Sequence, residues 1–69
     1  MTEPIANRVH EQRSVRGVTQ QQVADAVGVS RQTVVAIEKG NYMPSVGLAL
    51  KLADYFNTNV ETLFYYESN

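Results

Sequence analysis

The chain has 69 residues, of which 43% are hydrophobic, and it contains no cysteine. This length suits one small domain, assigned to residues 1–69, and the composition is sufficient for a packed core. The composition excludes disulfides and thiolate metal sites, and no apolar run approaches the roughly 20 residues of a membrane helix. The first residues lack the layout of a signal peptide, so we expect a cytoplasmic protein that does not contact membranes.

The net charge of −1 argues against a protein that holds nucleic acid by bulk charge alone. Residues 1–40 carry five Lys or Arg and four acidic residues, a sum of +1, whereas residues 41–69 carry one Lys and three acidic residues, a sum of −2. The acidity therefore lies mostly in the C-terminal part. Contacts with a polyanion would have to come from a few directed side chains.

The first predicted helix spans about residues 4–16 and is capped by Thr2 or Glu3. Gly17 ends it in the left-handed conformation. Every strong segment of the chain has helical periodicity, and signals for β-hairpins are absent.

Two further helices are predicted around Gly28, which supplies a left-handed turn between them. Thr19 and Gln22 form the capping box that begins the second helix. Ser30 caps the third helix, which is predicted to end at Lys39. The apolar positions of this stretch are Val23, Ala24, Val27, Val29, Val34 and Ile37.

A fourth helix begins after Ser45, and Asn57 is suited to the left-handed position at its end. Asn59 caps a short fifth helix. The apolar positions of these two helices are Leu48, Ala49, Leu52, Ala53, Phe56, Val60, Leu63 and Phe64. Five helices with short loops predict a compact all-α domain.

Residues 20–39 have the layout of a helix-turn-helix, whose second helix lies in the major groove of DNA. The run TQQQVADAVGVSRQTVVAIEKGNYMPS, followed by LALKLADYF, resembles the Cro and phage-repressor-like helix-turn-helix family, also called the xenobiotic-response-element family. The resemblance covers about residues 5–64. It implies a five-helix lambda-repressor-like domain and a sequence-specific DNA-binding transcriptional regulator.

The third helix carries the residues expected to read DNA bases. Val34 and Ile37 face the core, so the N-terminal Arg31 and Gln32 point outward. Arginine pairs with guanine and glutamine with adenine in the major groove. Val35 is suited to packing on a thymine methyl group, although single exposed apolar residues are also ordinary. The small Ala36 allows close approach to the DNA.

Phosphate contacts would position the protein without reading sequence. By resemblance, Gln20 at the start of the second helix is a phosphate contact, and its backbone N–H there is expected to be unpaired and to point outward. Thr33, Lys39 and the backbone amides near Asn41 and Tyr42 are further candidates. For Lys39 the alternative is a solvated charge at a helix C-terminus, which is itself favourable.

The resemblance also implies a structural salt bridge between Arg13 and Glu38 that joins the first helix to the third. The chain departs from the usual family pattern at Gly47, where a helix former is common, and at Asn57 and Thr58. These departures do not touch the expected reading surface.

A repressor that binds a palindromic operator as a homodimer is the favoured function. The C-terminal run Leu63, Phe64, Tyr65 and Tyr66 is unusually aromatic and is the candidate dimer interface. One face of this run should complete the core, and the alternative is a local core with two exposed tyrosines. An antitoxin or a protein-interaction module with the same fold is the alternative. An enzyme is disfavoured because His10 is the only histidine and no catalytic cluster is evident; no cofactor, metal or small-molecule ligand is expected.

Overall fold

The computed structural model describes residues 4–67 as five helices and a two-stranded sheet. In chain order the elements are β1 (Ile5–Asn7), α1 (Val9–Arg16), α2 (Gln20–Val27), α3 (Arg31–Glu38), α4 (Val46–Tyr55), α5 (Val60–Leu63) and β2 (Phe64–Tyr66). The prediction of a mainly helical fold is confirmed. The prediction of a purely helical chain is wrong, because β1 and β2 pair with each other.

The first helix begins five residues later than the pattern predicts. Strand β1 pairs antiparallel with β2, and Ile5 lies opposite Tyr66. The Val9 N–H donates to Asn7 Oδ1 at 3.1 Å, so the Asn7 side chain satisfies a free amide at the start of α1. The predicted caps Thr2 and Glu3 lie outside the described residues.

The later helices begin at the predicted caps. The Gln22 N–H donates to Thr19 Oγ1 at 3.0 Å, and the Thr19 N–H donates to Gln22 Oε1 at 2.8 Å, which completes the capping box of α2. Ser30, Ser45 and Asn59 each accept a backbone N–H with their side-chain oxygen. These starts are confirmed, and each rests on interactions within four residues.

Two turns require a left-handed backbone. Gly28 has a φ of 78° between α2 and α3, and Asn57 has a φ of 55° after α4. Glycine reaches this region without a Cβ clash, and asparagine is the non-glycine residue that best tolerates it. The predicted Gly17 turn is also left-handed. Helix α3 ends at Glu38, one residue before the predicted end.

The core is a single cluster to which all five helices contribute. α2 packs most extensively against α3 and also against α4. The buried members are Val9, Val23, Ala24, Val27, Val34, Ile37, Leu52, Ala53, Phe56 and Leu63. Because Val34 and Ile37 are almost fully buried, the rotation of α3 is fixed and the opposite side of this helix faces solvent.

Candidate nucleic-acid interface

The N-terminal end of α3 presents two polar side chains to solvent. Arg31 and Gln32 are both exposed. The Ser30 Oγ accepts the Thr33 N–H at 3.2 Å, which caps this end of the helix without using either exposed side chain. None of the ion pairs between residues 4 and 67 involves Arg31. Both side chains are placed to contact a ligand in front of the helix.

The remaining candidates on α3 are less exposed. Val35 and Ala36 are half-buried, so only part of each side chain can reach a ligand. Thr33 is also half-buried, and its hydroxyl lies 3.0 Å from Ser30 Oγ. Because the Ser30 hydroxyl can donate to Thr33 Oγ1, the Thr33 proton remains available to an outside acceptor.

The loop after α3 is exposed. Lys39, Asn41 and Tyr42 all face solvent, and Tyr42 exposes 48% of its surface. The Asn41 N–H donates to the Ala36 carbonyl at 2.9 Å. That amide is therefore already occupied, and Asn41 has its side chain to offer instead.

A shallow depression brings candidates from two helices together. Gln20 from α2 lines the same depression as Val35 of α3 and Lys39, which follows α3. Arg13 and Glu38 also line this depression. Residues considered separately in the sequence therefore share one surface.

Glu38 holds three helices together beneath that surface. Arg13 Nε donates to Glu38 Oε2 at 2.8 Å, and Arg13 Nη2 donates to Glu38 Oε1 at 3.2 Å. Gln20 Nε2 donates to the same Oε1 at 3.2 Å. The Glu38 side chain is only 7% exposed and that of Arg13 17%. Contacts from α1 and α2 thus converge on one carboxylate of α3.

The pKa values of the ion pair are shifted in opposite directions. Burial alone would raise the pKa of Glu38, but hydrogen bonds from Arg13 and Gln20, with the Arg13 charge, outweigh burial and lower it. The hydrogen bond to Glu38 raises the pKa of Arg13. Both groups are charged at neutral pH and compensate each other.

Some contacts between the helices and their neighbouring segments were not predicted from the sequence. The His10 side chain is mostly exposed, and its Nδ1 lies 2.9 Å from Arg13 Nη2 and 3.4 Å from Glu38 Oε1. His10 and Arg13 are three residues apart on α1, and this spacing could have indicated the contact between them. Asn7 Nδ2 donates to the Ile37 carbonyl at 2.9 Å, near the end of α3, and no local pattern foretells this contact.

The candidate dimer residues occupy two different environments. Leu63 is fully buried in the core of its own chain and has no surface to offer a partner. Phe64 and Tyr65 are half-buried, whereas Tyr66 is 68% exposed. Phe64, Tyr65 and Tyr66 line a shallow, mainly apolar depression together with Ile5, Val60 and the acidic Glu61.

The pair of helices α2 and α3, joined by a short turn at Gly28 and packed against each other on a common core, defines a helix-turn-helix protein. The helix-turn-helix family model matches residues 11–63, and the chain belongs to this family. The resemblance to the Cro and phage-repressor-like type is confirmed by that match and by the relatives.

The relatives are transcriptional regulators by name. The chain is 44% identical over 63 residues to an uncharacterized HTH-type transcriptional regulator of Methanocaldococcus jannaschii, covering 91% of this chain and 96% of the relative. It is 48% identical over 61 residues to the uncharacterized HTH-type transcriptional regulator YgzD of Bacillus subtilis, covering 88% and 92%. The family is thus one of regulators and not a class of enzymes.

A solved structure has the same fold. The restriction-modification controller protein C.AhdI from Aeromonas hydrophila matches with a TM-score of 0.74 and 29% identity, over 80% of this chain and 83% of that one. Among residues 4–67, no helix has the length and apolar character needed to cross a membrane.

Proposed function

We propose that this chain is a sequence-specific DNA-binding regulator that represses transcription by occupying an operator with α3 in the major groove. The observation that carries the proposal is the exposed N-terminal end of α3, where Arg31 and Gln32 stand free at the solvent surface. Support also comes from the names of the relatives, which are HTH-type transcriptional regulators, and from the fold shared with a controller protein.

Base reading falls to the side chains along the exposed side of α3. Arg31 pairs with a guanine and Gln32 with an adenine, and each bidentate pair discriminates by about 1–3 kcal/mol. The exposed part of Val35 packs on a thymine methyl group. Ala36 is small enough to let the helix approach the bases closely.

Phosphate contacts flank the reading helix. Gln20 and Lys39 line the same depression as Val35, so they can reach backbone oxygens while α3 occupies the groove. The Thr33 hydroxyl and the side chains of Asn41 and Tyr42 extend this set. Because the net charge is −1, we expect modest non-specific affinity and a strong dependence on these contacts.

The functional unit in this proposal is a homodimer. Phe64, Tyr65 and Tyr66 supply the interface, together with the neighbouring apolar surface of Ile5 and Val60. Two recognition helices then lie about 34 Å apart, one turn of B-DNA, and read a palindromic operator. Repression follows because a bound dimer blocks access of polymerase to the promoter.

Selection of bound duplexes from a random DNA pool tests the proposal. We expect enrichment of one palindrome, with an affinity that falls as salt rises. Arg31→Ala should relax the preference at one base position, whereas Lys51→Ala removes an equal charge from the exposed side of α4 and should not. Failure to enrich any duplex would overturn the proposal and favour a protein-interaction module.

A further inference from the structure

The Gln20 side chain, at the start of α2, is hydrogen-bonded to another helix. Its Nε2 donates to Glu38 Oε1 at 3.2 Å, across the junction of α2 and α3. The neighbouring Gln21 behaves differently, because its Nε2 donates to Asp25 Oδ1 at 2.8 Å within α2, and both of these residues are exposed. Only Gln20 is anchored to a nearly buried carboxylate on another helix.

We propose that Glu38 is a positioning residue for DNA binding, which orients the Gln20 carboxamide so that an N–H faces a DNA phosphate. The inference rests on the proposed function, since it assigns Gln20 to the DNA backbone. It gives Glu38 a role beyond its ion pair with Arg13.

The donor and acceptor atoms of the Gln20 carboxamide determine its orientation towards Glu38. An ionised carboxylate only accepts hydrogen bonds, so the nitrogen of Gln20, and not its oxygen, must face Glu38. The amide nitrogen has two hydrogens. One is used on Glu38 Oε1, and the second remains for an external acceptor. Reversal of the amide would place its oxygen against the carboxylate and is disfavoured.

Arg13 makes this arrangement compatible with a nearby phosphate. An uncompensated Glu38 would repel a phosphate, but Arg13 holds the carboxylate through two hydrogen bonds and cancels its charge. Arg13 is itself braced by donating from Nη1 to the Val18 carbonyl at 3.3 Å. The pair therefore offers Gln20 an acceptor without adding net negative charge to the surface.

A double-mutant cycle between protein and DNA tests the inference. The affinity for the operator is compared with the affinity for duplexes in which a single phosphate is replaced by a neutral methylphosphonate. The phosphate contacted by Gln20 is the one whose replacement weakens binding of wild type but not of Gln20→Ala. Wild-type protein should lose about tenfold in affinity at that position. Glu38→Gln should lose most of this sensitivity, because its carboxamide can accept from the Gln20 nitrogen or donate to the Gln20 oxygen, so both orientations of Gln20 are allowed.

Asp25→Asn is the matched control, because it removes a carboxylate from the exposed Gln21 in the same helix. It should retain the full sensitivity at the phosphate. A Glu38→Gln protein that binds more weakly but keeps the tenfold sensitivity would show a purely structural role and overturn the inference. Failure of the wild-type protein to bind any duplex would instead refute the proposed function.

A second measurement does not depend on how well Glu38→Gln folds. In the free wild-type protein, acidification that protonates Glu38 should shift the side-chain amide resonances of Gln20 by NMR while the fold persists. The Gln21 amide donates to Asp25 and not to Glu38, so it should not follow the transition of Glu38. Gln20 resonances that ignore Glu38 would remove the contact on which the inference depends.

Discussion

Glu38 is the residue on which the relative placement of three helices depends. Its carboxylate accepts from Arg13 on α1 and Gln20 on α2, and it belongs to α3 itself. An ion pair this little exposed adds modest net stability, yet loss of one partner leaves a charge poorly solvated. Replacement of only one member of the pair should therefore reduce the stability of the protein more than replacement of both.

Glu38→Ala should destabilise the protein by the lower end of the roughly 3–5 kcal/mol seen for broken buried pairs, since Arg13 keeps some access to water. In a domain of this size that corresponds to a fall in melting temperature of more than about 10 °C. Thermal unfolding followed by circular dichroism measures this. An unchanged melting temperature would contradict the structural importance of the pair.

The stability of the protein should depend on pH through Glu38. Its pKa is lowered in the folded state, where burial is outweighed by the hydrogen bonds from Arg13 and Gln20. The stabilisation is therefore complete above the ordinary glutamate pKa of about 4.3 and is lost as pH falls through the lowered folded value. Urea unfolding should show that the advantage of wild type over Glu38→Gln shrinks in acid.

Arg13→Met should weaken this dependence. Without the arginine, burial is opposed only by the hydrogen bonds from Gln20 and His10, so the pKa of Glu38 in the folded state should be higher than in wild type. The variant should then gain less stability than wild type as pH rises through the glutamate range. Parallel pH profiles of the two proteins in urea would show that Arg13 is not what lowers the pKa of Glu38.

At the scale of single residues, the sequence predicted which side chains face the core or solvent better than it predicted their contacts with other helices. Periodicity places Val34 and Ile37 inward and therefore Arg31 and Gln32 outward, as the structure has them. It could not predict the half-burial of Val35, because that depends on where α2 lies. The bond between Gln20 and Glu38 likewise depends on tertiary packing.

At the scale of the elements, local interactions were predictable and distant ones were not. The caps at Thr19, Ser30 and Ser45 depend on neighbours within the same turn, so sequence spacing reveals them. Strand β1 has three residues and shows no useful alternation, and its partner lies at the other end of the described chain. Helical periodicity was therefore extended wrongly into this segment.

Substitution of alanine for two of the glycines should change stability in opposite directions. Gly28 has a φ of 78° and empty space around its missing Cβ, so Gly28→Ala should cost about 1–2 kcal/mol from backbone strain alone. Gly47 lies in α4 without that conformation, and its Cβ would meet only Ser45 Oγ at 4.0 Å. Gly47→Ala should stabilise by up to about 1 kcal/mol.

Denaturant unfolding of the two variants measures both changes under the same conditions. The difference in sign is the informative result, since each substitution adds the same methyl group. If Gly28→Ala were as stable as wild type, the turn between α2 and α3 would not require the left-handed backbone.

At the scale of the whole molecule, the proposed dimer predicts a separation between folding and association. Tyr66→Glu should weaken self-association and binding to a full palindrome, because it places a charge on the apolar surface around an exposed residue. The melting temperature of the monomer should change little. Val15→Glu introduces the same charge at another exposed hydrophobic residue, on α1, and is the control.

Analytical ultracentrifugation and binding to full and half operators measure this prediction. Tyr66→Glu should retain half-site binding while it loses the advantage of the full site. An equal effect of Val15→Glu would place the interface elsewhere on the molecule.

The small sheet also has a consequence for engineering. The Glu67 N–H donates to the Pro4 carbonyl at 2.9 Å, so the two ends of the described chain lie side by side. A short linker could join them, and new termini could be opened in the exposed loop at Asn41–Met43. Such a circular permutant should keep the helices in their present spatial arrangement, although their order along the chain would change.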